Sequence, residues 1–169
     1  SNHLEAIRSY LSAGLSPVPV KIKDKYPSML REWRSYMKRP ATAQEAGLWA
    51  VYKNTSEYGC GIICGAVSGN LEVIDFDNHL NNAEEIFNEY TNIEDVAAVI
   101  RRHDIPIEST PSGGYHIFYR CETIEGNQKL AKQEKTAIIE TRGEGGLIVT
   151  APTRGYTLLA GNLCEIPVI

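Results

Sequence analysis

The chain has 169 residues, a formal net charge of −4, 43% hydrophobic and 22% charged residues. This balance excludes a disordered or fibrous protein, and the length suffices to bury a core without disulfide staples. An acidic chain with a pI near 5.6 is not one that coats nucleic acid by charge alone, yet it suits an enzyme whose acidic centre is neutralised by metal ions. No apolar run approaches the roughly 18 residues of a membrane span, and the N-terminus lacks the apolar stretch of a signal peptide, so we expect no membrane partner and a cytoplasmic location. The start at Ser1-Asn2 instead of Met leads us to expect that residues 1–169 are one domain of a longer protein. Cys60, Cys64, Cys121 and Cys164 include only one close pair, in an apolar run, so they read as reduced, mostly buried thiols and not as a zinc site.

Leu4, Ile7, Tyr10 and Leu11 recur at helical spacing before Gly14, which predicts an amphipathic helix over 3–13. Residues 17–22 read as extended. Residues 23–40 are basic, aromatic and irregular, a surface loop with some helix. Thr42 with Glu45 three residues later forms a capping box, and the helix is expected to run to Tyr52. Two apolar strands follow, 61–64 and 71–76, joined by the turn-rich 65–70. Residues 82–103 are helical with a break near Thr91-Asn92. Strands 106–110 and 115–120 flank Pro111-Ser-Gly-Gly114, and strands 137–141 and 147–150 flank Arg142-Gly-Glu-Gly-Gly146. Residues 156–160 form a last strand. Lys129, Lys132 and Lys135 form a basic cluster that reads as a solvated face. The order predicts an α+β fold with a mainly antiparallel sheet flanked by helices.

Three segments carry chemistry. In Leu71-Glu-Val-Ile-Asp75-Phe-Asp77, strand alternation points Asp75 and Asp77 one way and Ile74 and Phe76 the other. Two carboxylates on one face repel and lose hydration unless a cation sits between them, and hard divalent ions such as Mg²⁺ take such oxygens. The plainer alternative is a strand end running into the polar Asp77-Asn78-His79. In Ser109-Thr-Pro-Ser112-Gly113-Gly114-Tyr-His116, the glycines permit close approach of backbone N–H groups to an anion, and His116 can donate to phosphate. The alternative is an ordinary glycine hairpin. In Ile138-Ile-Glu140-Thr-Arg142, Glu140 and Arg142 share a face, as in a site holding both a metal and phosphates, or as in a simple charge pair. Glu144 in the following turn reads as solvated. If the three strands are neighbours, Asp75, Asp77 and Glu140 converge with His116 and Arg142 beside them. That set fits nucleotidyl transfer, in which two divalent ions roughly 3.5–4 Å apart activate a hydroxyl and stabilise leaving pyrophosphate.

Val73-Ile-Asp75-Phe-Asp77, Thr110-Pro-Ser-Gly-Gly-Tyr-His116 and Ile139-Glu140-Thr-Arg142-Gly-Glu-Gly-Gly146 with Ala151-Pro152 resemble the bifunctional DNA primase/polymerase family of the archaeo-eukaryotic primase superfamily. Upstream, Gly14-Leu-Ser-Pro-Val-Pro, Lys25-Tyr-Pro27 and Gly61-Ile-Ile-Cys-Gly65 add to the likeness, which runs from about Ile7 to Tyr156. The resemblance implies a catalytic sheet related to RNA-recognition modules, with a small helical and extended N-terminal part beside it. It implies primer synthesis or extension on a single-stranded DNA template from dNTP or NTP with two Mg²⁺ or Mn²⁺ ions, in replication of a mobile element or phage, with a helicase domain following or acting in trans. By the same resemblance Asp75, Asp77 and Glu140 are the catalytic metal ligands, and Ser112, Gly113, Gly114, His116, Lys129 and Arg142 bind nucleotide. Arg31, Trp33, Arg34, Tyr36, Lys38 and Arg39 offer charge and stacking surface for template in one loop, although Trp33 also suits the core. The rival readings are a non-catalytic nucleic-acid-binding module of a replication protein and a divalent-metal nuclease. A replication-initiator nickase is disfavoured because His116 has no second histidine two residues away.

Overall fold

The computed structural model describes residues 2–133 and 136–169, with the side chains of 129, 131–133, 136 and 137 outside the described set. The chain begins with α1 (His3–Ser12) and β1 (Ser16–Lys21), then a short 3-10 turn at Trp33–Met37. The helix α2 (Ala43–Leu48) tightens into 3-10 geometry over Trp49–Tyr52 and leads to β2 (Tyr58–Ile63) and β3 (Leu71–Phe76). Two helices, α3 (Ala83–Thr91) and α4 (Glu94–His103), precede β4 (Ile107–Ser109) and β5 (Tyr115–Arg120). The strands β6 (Gln128–Gln133), β7 (Thr136–Arg142), β8 (Leu147–Thr150) and β9 (Thr157–Ala160) complete the fold.

The fold is α+β, as expected. Among the described residues the strands form two antiparallel sheets, ordered β1-β2-β8 and β6-β7-β3-β5-β4-β9. Local signals explain the helix limits. Thr42 and Glu45 exchange the two capping-box hydrogen bonds, at 3.1 and 2.9 Å, and so start α2. The break between α3 and α4 comes where Thr91 Oγ1 and Asn92 Nδ2 donate back to the carbonyls of Phe87 and Asn88, ending the first helix. Glu94 and Asp95 then open α4, and Arg101, Arg102 and His103 close it, matching its dipole.

The connectivity between the sheets runs through two of the turns. Each of the turns after β2 and after β7 carries the chain from one sheet to the other and not between partners in one sheet. The two turns are tied together by Glu144, whose Oε1 accepts from the backbone N–H of Ala66 at 2.8 Å. Glu144 is therefore exposed, as expected, but also bonded. Gly65, at φ +94°, allows this contact, since a Cβ there would lie 2.6 Å from the Glu144 carboxylate oxygen.

A difference from the expected elements is β6. Its Gln-Lys-Leu-Ala-Lys-Gln sequence has no alternating pattern, and it exists as the outer strand paired with β7, where lysines are common because they deter edge-to-edge association. Lys135 lies outside the described residues.

The core lies on both faces of the six-stranded sheet. On one side Leu71, Val73 and Phe118 pack against the three-stranded sheet, α1, Trp33, Tyr36 and Trp49. On the other, Ile74, Phe76, Ile107 and Ile117 pack under α3 and α4 with Phe87 and Tyr90. The alternation of β3 thus feeds two apolar layers for most of its length. Only at Asp75 and Asp77 does the face toward the three-stranded sheet turn acidic, and there the layers part into a cavity of about 600 Å³.

Candidate active site

The site is a row across neighbouring strands. In the antiparallel register Asp75 of β3 lies opposite His116 of β5 on one side and opposite Glu140 of β7 on the other. Continuing outward, His116 lies opposite Glu108 of β4, and the backbone of Lys129 in β6 lies opposite Glu140. Directly opposed residues share a face of the sheet, so Glu108, His116, Asp75 and Glu140 form one ionisable line. Three of these came from the sequence; Glu108 did not.

The line is held by one short hydrogen bond, between His116 and Glu108, and by ion pairs. Glu108, fully buried, takes a bond from His116 Nδ1 at 2.6 Å, from Thr150 Oγ1 at 2.8 Å and from the Ala151 N–H at 2.9 Å. His116 Nε2 stands 3.4 Å from Asp75 Oδ1, and the other Asp75 oxygen is 3.8 Å from an Arg142 nitrogen. The same Arg142 nitrogen pairs with Glu140 Oε1. Burial on its own lowers the proton affinity of His116, but the bonds to Asp75 and Glu108 outweigh it and push the imidazole up to about 9. Burial likewise works to raise the Asp75 carboxyl, while His116, Arg142 and Lys25 together hold it below its ordinary value. Near neutral pH the charged imidazolium of His116 therefore faces the charged carboxylate of Asp75.

Asp75, Asp77, His116 and Arg142 all open onto the cavity. Asp77 extends the ladder beyond β3 through its N–H to the Ile138 carbonyl at 2.9 Å. Its carboxylate accepts from the His79 N–H at 2.7 Å and lies 3.1 Å from the His79 ring nitrogen. Ser112 lies on the cavity rim, steadied by Asn78 Nδ2 donating to its carbonyl at 2.8 Å. Gly113 and Gly114 direct their N–H groups inward to Thr110, at 3.1 and 3.0 Å, and so act within the turn. Gly114 is also sterically required, since a Cβ there would meet the Phe76 carbonyl oxygen at 2.4 Å. Beside His116 stands Tyr156, stacked at 6.3 Å between ring centroids. The Lys129 side chain lies outside the described residues.

The basic loop divides in two. Trp33 and Arg34, with Lys25 and Tyr26, form the cavity wall facing the acids. Trp33 is buried, donates to the Tyr26 hydroxyl at 3.1 Å and carries Arg34 over its ring at 5.0 Å. Tyr36 and Arg39 instead bond to Glu45, at 3.0 Å and 2.7 Å, and so brace α2 and take no place in the cavity. Arg31 and Lys38 are exposed away from the lining. Of the cysteines, Cys60 and Cys64 are buried, while Cys121 and Cys164 are partly exposed.

The donor set of Asp75, Asp77 and Glu140 is all carboxylate oxygen, the chemistry that hard divalent cations accept. Among the described residues no three Asp, Glu, His or Cys side chains are already gathered about one point. Asp75 and Glu140 share Arg142 as a counter-charge, and Asp77 stands further along the same face.

With this geometry in hand, the family model of bifunctional DNA primase/polymerases, N-terminal domain, matches residues 7–168, nearly the whole chain. The chain belongs to that family. Its general activity is therefore of the DNA primase/polymerase type, with DNA and nucleotides as substrates. No curated protein matches the sequence. Among the described residues no helix is long and apolar enough to cross a membrane.

Proposed function

We propose that the chain acts as one catalytic domain that joins nucleotides to a primer, or starts one, on single-stranded DNA in a divalent-metal-dependent reaction. The observation that most supports this reading is the double register of Asp75, which pairs with His116 on one strand and Glu140 on the next while facing a cavity of about 600 Å³. In the reaction the primer 3′-hydroxyl gives its proton to water and its oxygen bonds to the α-phosphorus, while the bond from that phosphorus to the oxygen bridging it to the β-phosphate breaks and pyrophosphate leaves. Asp75 and Asp77, with Glu140 as the third donor, would hold Mg²⁺ or Mn²⁺. When bound, such ions supply acidity to the attacking hydroxyl and offset charge on the leaving pyrophosphate.

The chain's own groups do the rest. His116, positively charged and fixed at both nitrogens, presents Nε2 toward the cavity as a donor to phosphate. Ser112 adds a hydroxyl at the rim. Arg142 neutralises Glu140 and Asp75 before substrate arrives, and its guanidinium is the nearest cation that a triphosphate meets on that strand. Lys25, Arg34 and Trp33 on the far wall contact the nucleic acid or nucleotide from above.

Primer extension tests this reading. A labelled dNTP and, separately, a labelled NTP are supplied with a primed template and Mg²⁺ or Mn²⁺. The wild type is expected to extend the primer, and Asp75→Ala and Asp77→Ala to lose about a thousandfold in rate. Extension by Asp75→Ala at the wild-type rate overturns the assignment. Cleavage of the DNA without incorporation points to a nuclease, and template binding with neither reaction to a binding module.

A further inference from the structure

We infer that Glu108 is a positioning residue that decides which nitrogen of His116 faces the cavity. The inference rests on the reading of His116 as the phosphate-binding group proposed above. The residue's surroundings carry it. Glu108 has no exposed surface, and a carboxylate taken out of water is costly unless both of its oxygens find donors. An apolar side chain fills the same space without that cost, so the acid is accounted for by what its oxygens hold. Oε1 accepts from Thr150 Oγ1 and from the Ala151 N–H. A backbone N–H can only donate, which commits Oε1 as an acceptor. Oε2 is then left for the His116 Nδ1 proton at 2.6 Å. With Nδ1 occupied, Nε2 is the nitrogen turned toward Asp75 and the cavity.

Thr150 and Ala151 end the third strand of the other sheet, so Glu108 also bolts the two sheets together behind the histidine. This contact makes Glu108→Gln informative. The fixed Ala151 donor requires the amide oxygen on its own side, which turns the amide NH₂ toward Nδ1. A donor facing Nδ1 forces that nitrogen to be bare, so the ring gives up its Nδ1 proton and its charge and keeps only the proton on Nε2.

The experiment labels the histidine nitrogens with ¹⁵N and reads their protonation by NMR, with His116→Gln used to assign the signals among the four histidines. In wild type Nδ1 of His116 is expected to carry a proton. In Glu108→Gln it is expected to be bare, and in Glu108→Asp protonated again. In primer extension the nucleotide KM of Glu108→Gln is expected to rise about tenfold, because the charge-assisted bond from Nε2 to phosphate becomes a neutral one, while kcat changes by less than about threefold. A bare Nδ1 in wild type, a protonated Nδ1 in Glu108→Gln, or an unmoved KM beside a lowered Tm each overturns the inference. The wild-type and Glu108→Asp spectra decide it even if Glu108→Gln does not fold. If the wild type incorporates no nucleotide, the nucleotidyl-transfer reading falls, while the nitrogen signals still report whether Glu108 holds the ring.

Discussion

Glu45 serves α2 twice, as the reciprocal partner of Thr42 in the capping box and as the acceptor for both guanidinium bonds of Arg39. The Arg39 bonds first, and then the Thr42 N–H, hold its carboxyl down to about 2. A depressed acid stabilises the fold above its unfolded value and ceases to do so as pH falls through the folded one. Glu45→Gln is therefore expected to lower Tm near neutral pH, with the gap to wild type closing as pH falls toward about 2. Thermal melts across that range check it, and a gap that widens in acid contradicts it. The capping box was legible in the sequence because its partners are three residues apart. The Arg39 and Tyr36 contacts were not, since nothing local told a brace from a nucleic-acid ligand. Glu108 was not legible either. Counting pairs outward from a turn at 111–114 sets 110 against 115 and 109 against 116, whereas the strands pair one residue out of that register and set 108 against 116. Its burial did not follow, because that depends on Thr150 and Ala151 in another sheet.

At the scale of elements, β3 is the strand on which the fold and the site both depend. Its residues alternate between two apolar layers, and Phe76 sits fully enclosed against Phe87 and Tyr90 of α3. Phe76→Ala is expected to cost about 3–5 kcal/mol, the range for deleting a buried aromatic ring. Chemical denaturation measures this directly, and a loss under about 1 kcal/mol would mean that α3 does not seal the layer. The strand limits and the facing of Asp75 and Asp77 were readable from period-two alternation. The outer strand β6 was not, because Lys129 and its neighbours lack that period and gain strand geometry only from pairing with β7. The break between α3 and α4 was readable within a residue or two, since Thr91 and Asn92 compete locally for helix carbonyls.

Across the whole molecule, the cavity exists because the N-terminal segment lies over the acidic end of the six-stranded sheet, bringing Lys25 and Arg34 to face Asp75 and Asp77. If that wall meets single-stranded DNA, Lys25→Ala and Arg34→Ala should each reduce the slope of log affinity against log salt by about 0.7, the value per phosphate contact on a single strand. Fluorescence anisotropy at several salt concentrations gives the slopes. Unchanged slopes would place the strand elsewhere. The sequence alone determined what acts over short separations: helix starts, strand faces, the hairpin turn and the carboxylates offered together by β3. Only the tertiary structure decided that β5 and β7 flank β3, that two turns cross between sheets, and that Arg142 lies between Asp75 and Glu140. The physical reason is range. Alternation and capping depend on covalent neighbours, whereas strand order is chosen by how two apolar layers close over one sheet, a sum over residues far apart in the chain.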